Sequence, residues 1–109
     1  MLKQILAAAG IPAKESRYIN PPGSTYAVYF DDTDTTGGPD PVPGAPLLVS
    51  HSVTVELYEP TKDDASEAAM ESALIAQGLH WTTQARYWLQ NVQRYQVIYE
   101  FEFKEKRRA

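Results

Sequence analysis

Cysteine is absent from the 109-residue chain, which excludes disulfides, thiolate nucleophiles and cysteine-ligated zinc and permits a reducing compartment. Long hydrophobic runs are missing too, since no apolar stretch approaches the roughly 18 residues a membrane span needs. The N-terminal Met1-Leu-Lys-Gln-Ile-Leu-Ala-Ala-Ala9 holds too short an apolar run for a secretion signal, so a cytoplasmic protein with no membrane partner is expected. Basic charge is scarce: 10 Lys and Arg stand against 14 Asp and Glu, for a net charge of -4. Nucleic-acid affinity comes from cations neutralising phosphates, so a dedicated nucleic-acid module is disfavoured. The basic run Lys104 to Arg108 is too short to reverse that balance and reads as a solvated, frayed tail over 104–109.

What is present describes a globular domain. A hydrophobic share of 43% with seven tyrosines and two tryptophans suffices for one core, and the length suits one domain over 1–109 whose stability would gain from neighbouring subunits. Leu2, Ile5, Leu6 and Ala9 recur at helical spacing, and Gly10 followed by Pro12 ends that helix. Residues 13–23 read as extended and irregular. In 25–32, Tyr26, Val28 and Phe30 alternate with Ala27, Tyr29 and Asp31, a strand buried on one side and partly on the other.

The segment 33–46 contains four prolines and three glycines and reads as a flexible loop, unusually long for a compact domain and therefore either functional or disordered. Leu47 to Tyr58 is a long strand with Leu47, Val49, Val53, Val55 and Leu57 on its core face. Thr61 to Gln77 turns to helical period, with Thr61, Asp63 or Asp64 to cap its start, Ala69, Met70, Ala73, Leu74 and Gln77 to pack, and Gly78 to end it. Leu79 to Leu89 reads as a third strand. The last, Arg94 to Phe103, sets Tyr95, Val97, Tyr99, Phe101 and Phe103 on one face and Gln96, Glu100 and Glu102 on the other, with Ile98 the misfit on the polar side. The expected fold is α+β, in the order α-β-β-α-β-β, with helices on one face of an antiparallel sheet.

No catalytic constellation emerges. Asp32-Thr-Asp-Thr-Thr-Gly37 starts like a calcium loop, but Pro43 stands where the bidentate acid is required, and strands flank it in place of helices. His51 and His80 lack a third zinc ligand at diagnostic spacing, and His51 among valines reads as a hydrogen-bonded core or interface residue. Glu100 and Glu102 could form an acid pair only if burial raised one pKa, whereas their alternation with Phe101 and Phe103 turns them outward. Gly37-Gly38 lacks the Gly-Lys-Ser/Thr that completes a phosphate loop, and no Gly-x-Ser-x-Gly elbow occurs. Trp81, Tyr87 and Trp88 read as core or interface aromatics, because a stacking platform for single strands needs a basic groove and only Arg86 lies nearby.

Several stretches together resemble the small tail completion, tail terminator or head-tail joining proteins of long-tailed bacteriophages and prophages. They are Tyr26-Ala-Val-Tyr-Phe, Val53-Thr-Val-Glu-Leu-Tyr-Glu followed by Lys62-Asp-Asp, and Arg94-Tyr-Gln-Val-Ile-Tyr-Glu-Phe-Glu-Phe, with Gly10-Ile-Pro and Pro21-Pro upstream. The resemblance spans nearly the whole chain, although the Pro/Gly segment 33–46 departs from the polar, aromatic loop of many relatives. It implies a structural protein and not an enzyme, without cofactor, metal or small-molecule substrate. Such a protein assembles as a homo-oligomeric ring, expected to be hexameric, on the tail tube beneath the head connector, with DNA only as passing cargo. It would reside in the bacterial host cytoplasm during assembly and in the virion tail afterwards. Glu56, Glu100 and Glu102 would then line the lumen, while Thr36, Gly37, Gly38 and Asp40 of the long loop would reach a neighbouring subunit. The competing expectation is a small cytoplasmic ligand-binding protein or enzyme in which 33–46 closes as a lid over Tyr29, His51 and Trp81.

Overall fold

A computed structural model describes residues 1–36 and 46–108. Eight elements follow one another: α1 (Leu2–Ala9), β1 (Ala13–Glu15), β2 (Tyr26–Thr36), β3 (Pro46–Glu59), α2 (Asp64–Ala76), β4 (Trp81–Thr83), β5 (Tyr87–Leu89) and β6 (Arg94–Arg108). The class is α+β, built on a mixed sheet of six strands in the order β1-β2-β3-β6-β4, with β5 also on β6.

The centre of the sheet follows from parity. β2 pairs antiparallel with β3, and β3 antiparallel with β6, in a register that sets Ala27, Leu57 and Val97 in one row and Tyr29, Val55 and Tyr99 in the next. Side chains alternate along a strand, so the odd-numbered positions of all three share a face. On that face Val53, Val55, Leu57, Val97, Tyr99, Phe101 and Phe103 form one core cluster with Leu2, Ile5, Leu6 and Ala9 of α1 and Met70, Ala73 and Leu74 of α2. Both helices therefore cover one side of the sheet. Truncating the fully buried Leu57 to alanine would cost about 2–5 kcal/mol.

The helix ends are set locally. Asp63 caps α2, its Oδ1 accepting from the Ser66 N–H at 3.0 Å. At the other end the Leu79 N–H donates to the Leu74 carbonyl at 3.1 Å and the Gly78 N–H to the Ile75 carbonyl at 2.9 Å, a Schellman closure that requires the φ of 69° found at Gly78. Ala69 of the expected packing face is only half buried and Gln77 is exposed.

Four expectations need correction. The sheet is not purely antiparallel, because residues 13–15, read as irregular, form β1 and pair parallel with Ala27 to Tyr29. The single strand expected over 79–89 is broken into β4 and β5, both on β6. Residues 33–36 and 46, expected in the loop over 33–46, are strand, since β2 continues through Thr36 and β3 begins at Pro46, while 37–45, with Gly37, Gly38 and Asp40, lie outside the described residues. The basic segment is not a frayed tail, since β6 continues to Arg108 and pairs with β3 as far as Pro46.

Candidate functional site

The sheet face opposite the helices carries the even-numbered residues of β2, β3 and β6. It is graded. At one end Tyr26 stacks on Tyr58 with ring centroids 5.2 Å apart, Tyr18 meets Tyr26 edge-on at 5.3 Å, and the Tyr58 hydroxyl accepts from Gln96 Nε2 at 3.1 Å. Arg94 lies over the Tyr26 ring at 5.4 Å and donates to the carbonyls of Pro22 and Gly23, tying the segment before β2 across that end. Tyr26 and Val28 are buried there although they face away from the helices.

Further along, the face opens and turns acidic. Phe30, Thr54, Glu100 and Thr82 share a row, followed by Asp32, Ser52 and Glu102, then by Asp34, Ser50 and Lys104. An open groove of about 590 Å³ runs here, lined in part by Asp32, Thr54, His80, Thr82, Glu100 and Glu102. A smaller groove of about 350 Å³ continues past Ser52 to Asp34 and Lys104. Glu100 and Glu102, expected to be exposed on a polar face, are exposed. Glu56 lies on the same face but is half buried and engaged, its Oε1 accepting from the Tyr58 hydroxyl at 2.9 Å. Burial, and then this contact, push the Tyr58 phenol up to about 12. Thr36 closes β2.

The helix-side face holds two charged groups of its own. Beyond the hydrophobic core, His51 is buried and bonded through Nδ1 to Asp31 and through Nε2 to Glu105, each at 3.0 Å, and it stacks on Phe103 at 4.4 Å. Burial lowers its pKa, but hydrogen bonds to Glu105 and Asp31 outweigh it and the net shift is upward. Asp31 is on β2, His51 on β3 and Glu105 on β6, so one imidazole fastens three strands.

At the other end of β3, Glu59 is fully buried. Its Oε1 accepts from the Asp63 N–H at 3.1 Å and lies 3.4 Å from Arg86 Nε, while Oε2 has no partner among the described residues. Desolvation, with the adjacent Glu67 carboxylate next in size, pushes Glu59 up to about 7. Arg86 also holds Glu67 at 2.7 Å and Asp64 at 2.5 Å.

A carboxyl that titrates near neutrality can serve as a general acid or base. Glu59 lines neither groove, however, so the position suits a structural role. The sequence reading passed over Glu59, Asp31 and Glu105. Their signal was parity, since each continues the odd-numbered series of its strand and so places a charge on the core side.

The residues proposed for a lidded pocket are not gathered. Trp81 borders the larger groove, His51 the smaller, and Tyr29 neither, so His51 and His80 also lack a common site. Among the described residues no cluster of three or more His, Asp or Glu is arranged to hold a metal ion, and no helix is long and apolar enough to cross a membrane. No family model matches the chain, and no curated protein matches it significantly.

Proposed function

We propose that this chain is a structural subunit that assembles with copies of itself in tail completion or head-tail joining of a long-tailed bacteriophage or prophage. The observation that carries the reading is the arm formed by β2, β3 and β6. At about 3.3 Å per residue, the 14-residue β3 is about 46 Å long, whereas the 13-residue α2 reaches only about 20 Å at 1.5 Å per residue. The sheet outruns its helices, and the outer face of the arm is polar and open. Strands extended past their own core suit contact with neighbouring copies.

Glu100, Glu102 and Asp32 form an acidic surface that would repel DNA phosphates if turned to a lumen and so limit sticking of passing DNA. Glu56, engaged by Tyr58, contributes less to such a surface. The resemblance of 26–103 to tail completion proteins gives the self-assembling subunit its setting, the host cytoplasm and then the virion tail. The alternative of a lidded ligand pocket draws less support, because Tyr29, His51 and Trp81 share no cavity.

Disruption of the coding sequence in an inducible lysogen tests the proposal. The expected result is heads and tails that stay unjoined or tails of irregular length, with the chain present in wild-type virions by mass spectrometry. Normal titres from the disrupted lysogen, with no chain in the virions, would overturn it.

A further inference from the structure

The arm has two open edges, and they carry opposite charge. On one side the Ala27 N–H donates to the Pro12 carbonyl at 2.8 Å and the Tyr29 carbonyl accepts from the Ser16 N–H at 2.9 Å, so odd-numbered residues of β2 turn their main-chain groups away from β3. Direction alternates along a strand, so Asp31, Thr33 and Thr35 present N–H and C=O groups on that same edge. β1 stops at Tyr29, and among the described residues no strand pairs with the edge beyond it.

On the other side the Ile98 carbonyl accepts from the Gln84 N–H at 3.3 Å, so even-numbered residues of β6 face outward. β4 reaches only Phe101, which leaves the outward groups of Glu102, Lys104 and Lys106 past the last paired strand. An unpaired strand edge is a template for another strand.

Charge selects the partner. On the outer face the β2 edge carries Asp32 and Asp34, with no cation from 30 to 36, while the β6 edge past Glu102 carries Lys104 and Lys106; Asp31 and Glu105 lie on the helix side, both engaged by His51. Asp32, Asp34, Lys104 and Lys106 are exposed, and none takes part in an ion pair among the described residues. Like charges along each edge oppose β2 to β2 and β6 to β6 pairing. They favour β2 against β6.

We propose that copies of this chain join head to tail by main-chain pairing of the β6 edge of one copy with the β2 edge of the next. The inference specifies the contact for the self-assembly proposed above and does not depend on the phage setting. β2 and β6 each run antiparallel to β3, hence parallel to each other, and a rotation that repeats around a ring preserves strand direction. The new pair is therefore parallel.

Within one copy Asp32 shares its row with Glu102, and Asp34 with Lys104, so level rows between copies would oppose Asp32 to Glu102. A stagger of two residues sets Lys104 beside Asp32 and Lys106 beside Asp34. An even stagger keeps every side chain on its face, and a closing sheet requires stagger. Heterologous contacts of this kind give rings when the rotation closes.

Two charge variants test the contact, Asp32→Lys/Asp34→Lys and Lys104→Glu/Lys106→Glu, with mass read by light scattering after size exclusion over a concentration series. The wild type is expected to rise above the 12.2 kDa of one chain, each variant alone to stay at one chain, and an equimolar mixture to recover the wild-type mass, because each variant then meets an opposite edge. A wild type that stays at one chain, variants that assemble unaided, or a mixture that stays monomeric would overturn the inference.

A cysteine pair, Phe30→Cys/Glu102→Cys, reads the same register without altering the four charges. Within one copy these positions lie two strands apart, about 10 Å at 4.7–4.9 Å per strand, beyond the roughly 7 Å that a disulfide spans. Oxidation should thus yield a ladder of linked chains, and a product confined to single chains would count against the stagger. Loss of joining in the disrupted lysogen bears on the phage setting alone, whereas the mixing result bears on the edges alone.

Discussion

Glu59 shows how one side chain can tie stability to pH. Folded, its carboxyl sits near 7 because burial penalises the charge and Glu67 adds to the penalty, while the Asp63 amide and Arg86 pull the other way. Unfolded, it returns to about 4.5. Between those values the unfolded chain has released a proton that the folded chain keeps, so the favourable contribution is complete below about 4.5 and is lost as pH rises through about 7. His51 acts in the same sense, since its folded value lies above 6.5 and the stability from Asp31 and Glu105 fades as pH rises through that value. The protein should melt lower at pH 8 than at pH 5. Glu59→Gln removes the larger buried charge and should recover stability of order 2 kcal/mol at pH 8 with little change at pH 5. Thermal melts of both proteins at the two pH values decide it, and parallel profiles would mean that Glu59 ionises in the folded chain at no cost.

Among the elements, α2 depends on its N-cap residue, Asp63, as well as on its packing stripe. Asp63 Oδ2 accepts from the Ser66 hydroxyl and from the Thr25 hydroxyl, each at 2.6 Å, so the cap also ties the helix to the start of β2. Its carboxyl is held below the usual value by the Ser66 and Thr25 hydrogen bonds. Asp63→Ala should lose about 1–2 kcal/mol of capping and about 1 kcal/mol more for the buried Thr25 hydroxyl left without its acceptor. Denaturant titration would show a lower midpoint at unchanged slope, and Asp63→Asn, which keeps an acceptor oxygen, should fall between the two.

Sequence periodicity located both helices and the three long strands because their apolar positions repeat at fixed intervals and their ends carry Gly10, Asp63 and Gly78. It did not show the parallel β1, whose three residues have no alternation of their own and are held by Ala27 to Tyr29. It also missed the break at 84–86, where Arg86 leaves the sheet to meet Glu67 and Asp64. The C-terminal third of β6 was hidden because Lys104-Glu105-Lys106 looks like solvated charge until its pairing with β3 is known. Glu100 and Glu102 were legible as exposed carboxylates, whereas the His51 bridge needs three strands in register.

For the whole molecule, length and shape disagree in an informative way. A compact domain of this size has a radius of gyration of about 13 Å, but this chain has 16.1 Å and extents of 51 × 27 × 21 Å. The excess follows from the 14-residue β3 and 15-residue β6, which run on after the core ends near Phe103, with His51 holding them to β2. Such an arm keeps its direction only if its three strands stay paired along their length. Small-angle scattering from a species held at one chain, such as Asp32→Lys/Asp34→Lys, should give a radius near 16 Å at pH 6. A value near 13 Å would mean that the arm folds back on the body. The same measurement on His51→Ala separates cause from coincidence: without the imidazole, Asp31 and Glu105 face each other unbridged, so the radius should change or the scattering broaden. A profile identical to that of the parent would assign the stiffness of the arm to its main-chain pairing alone.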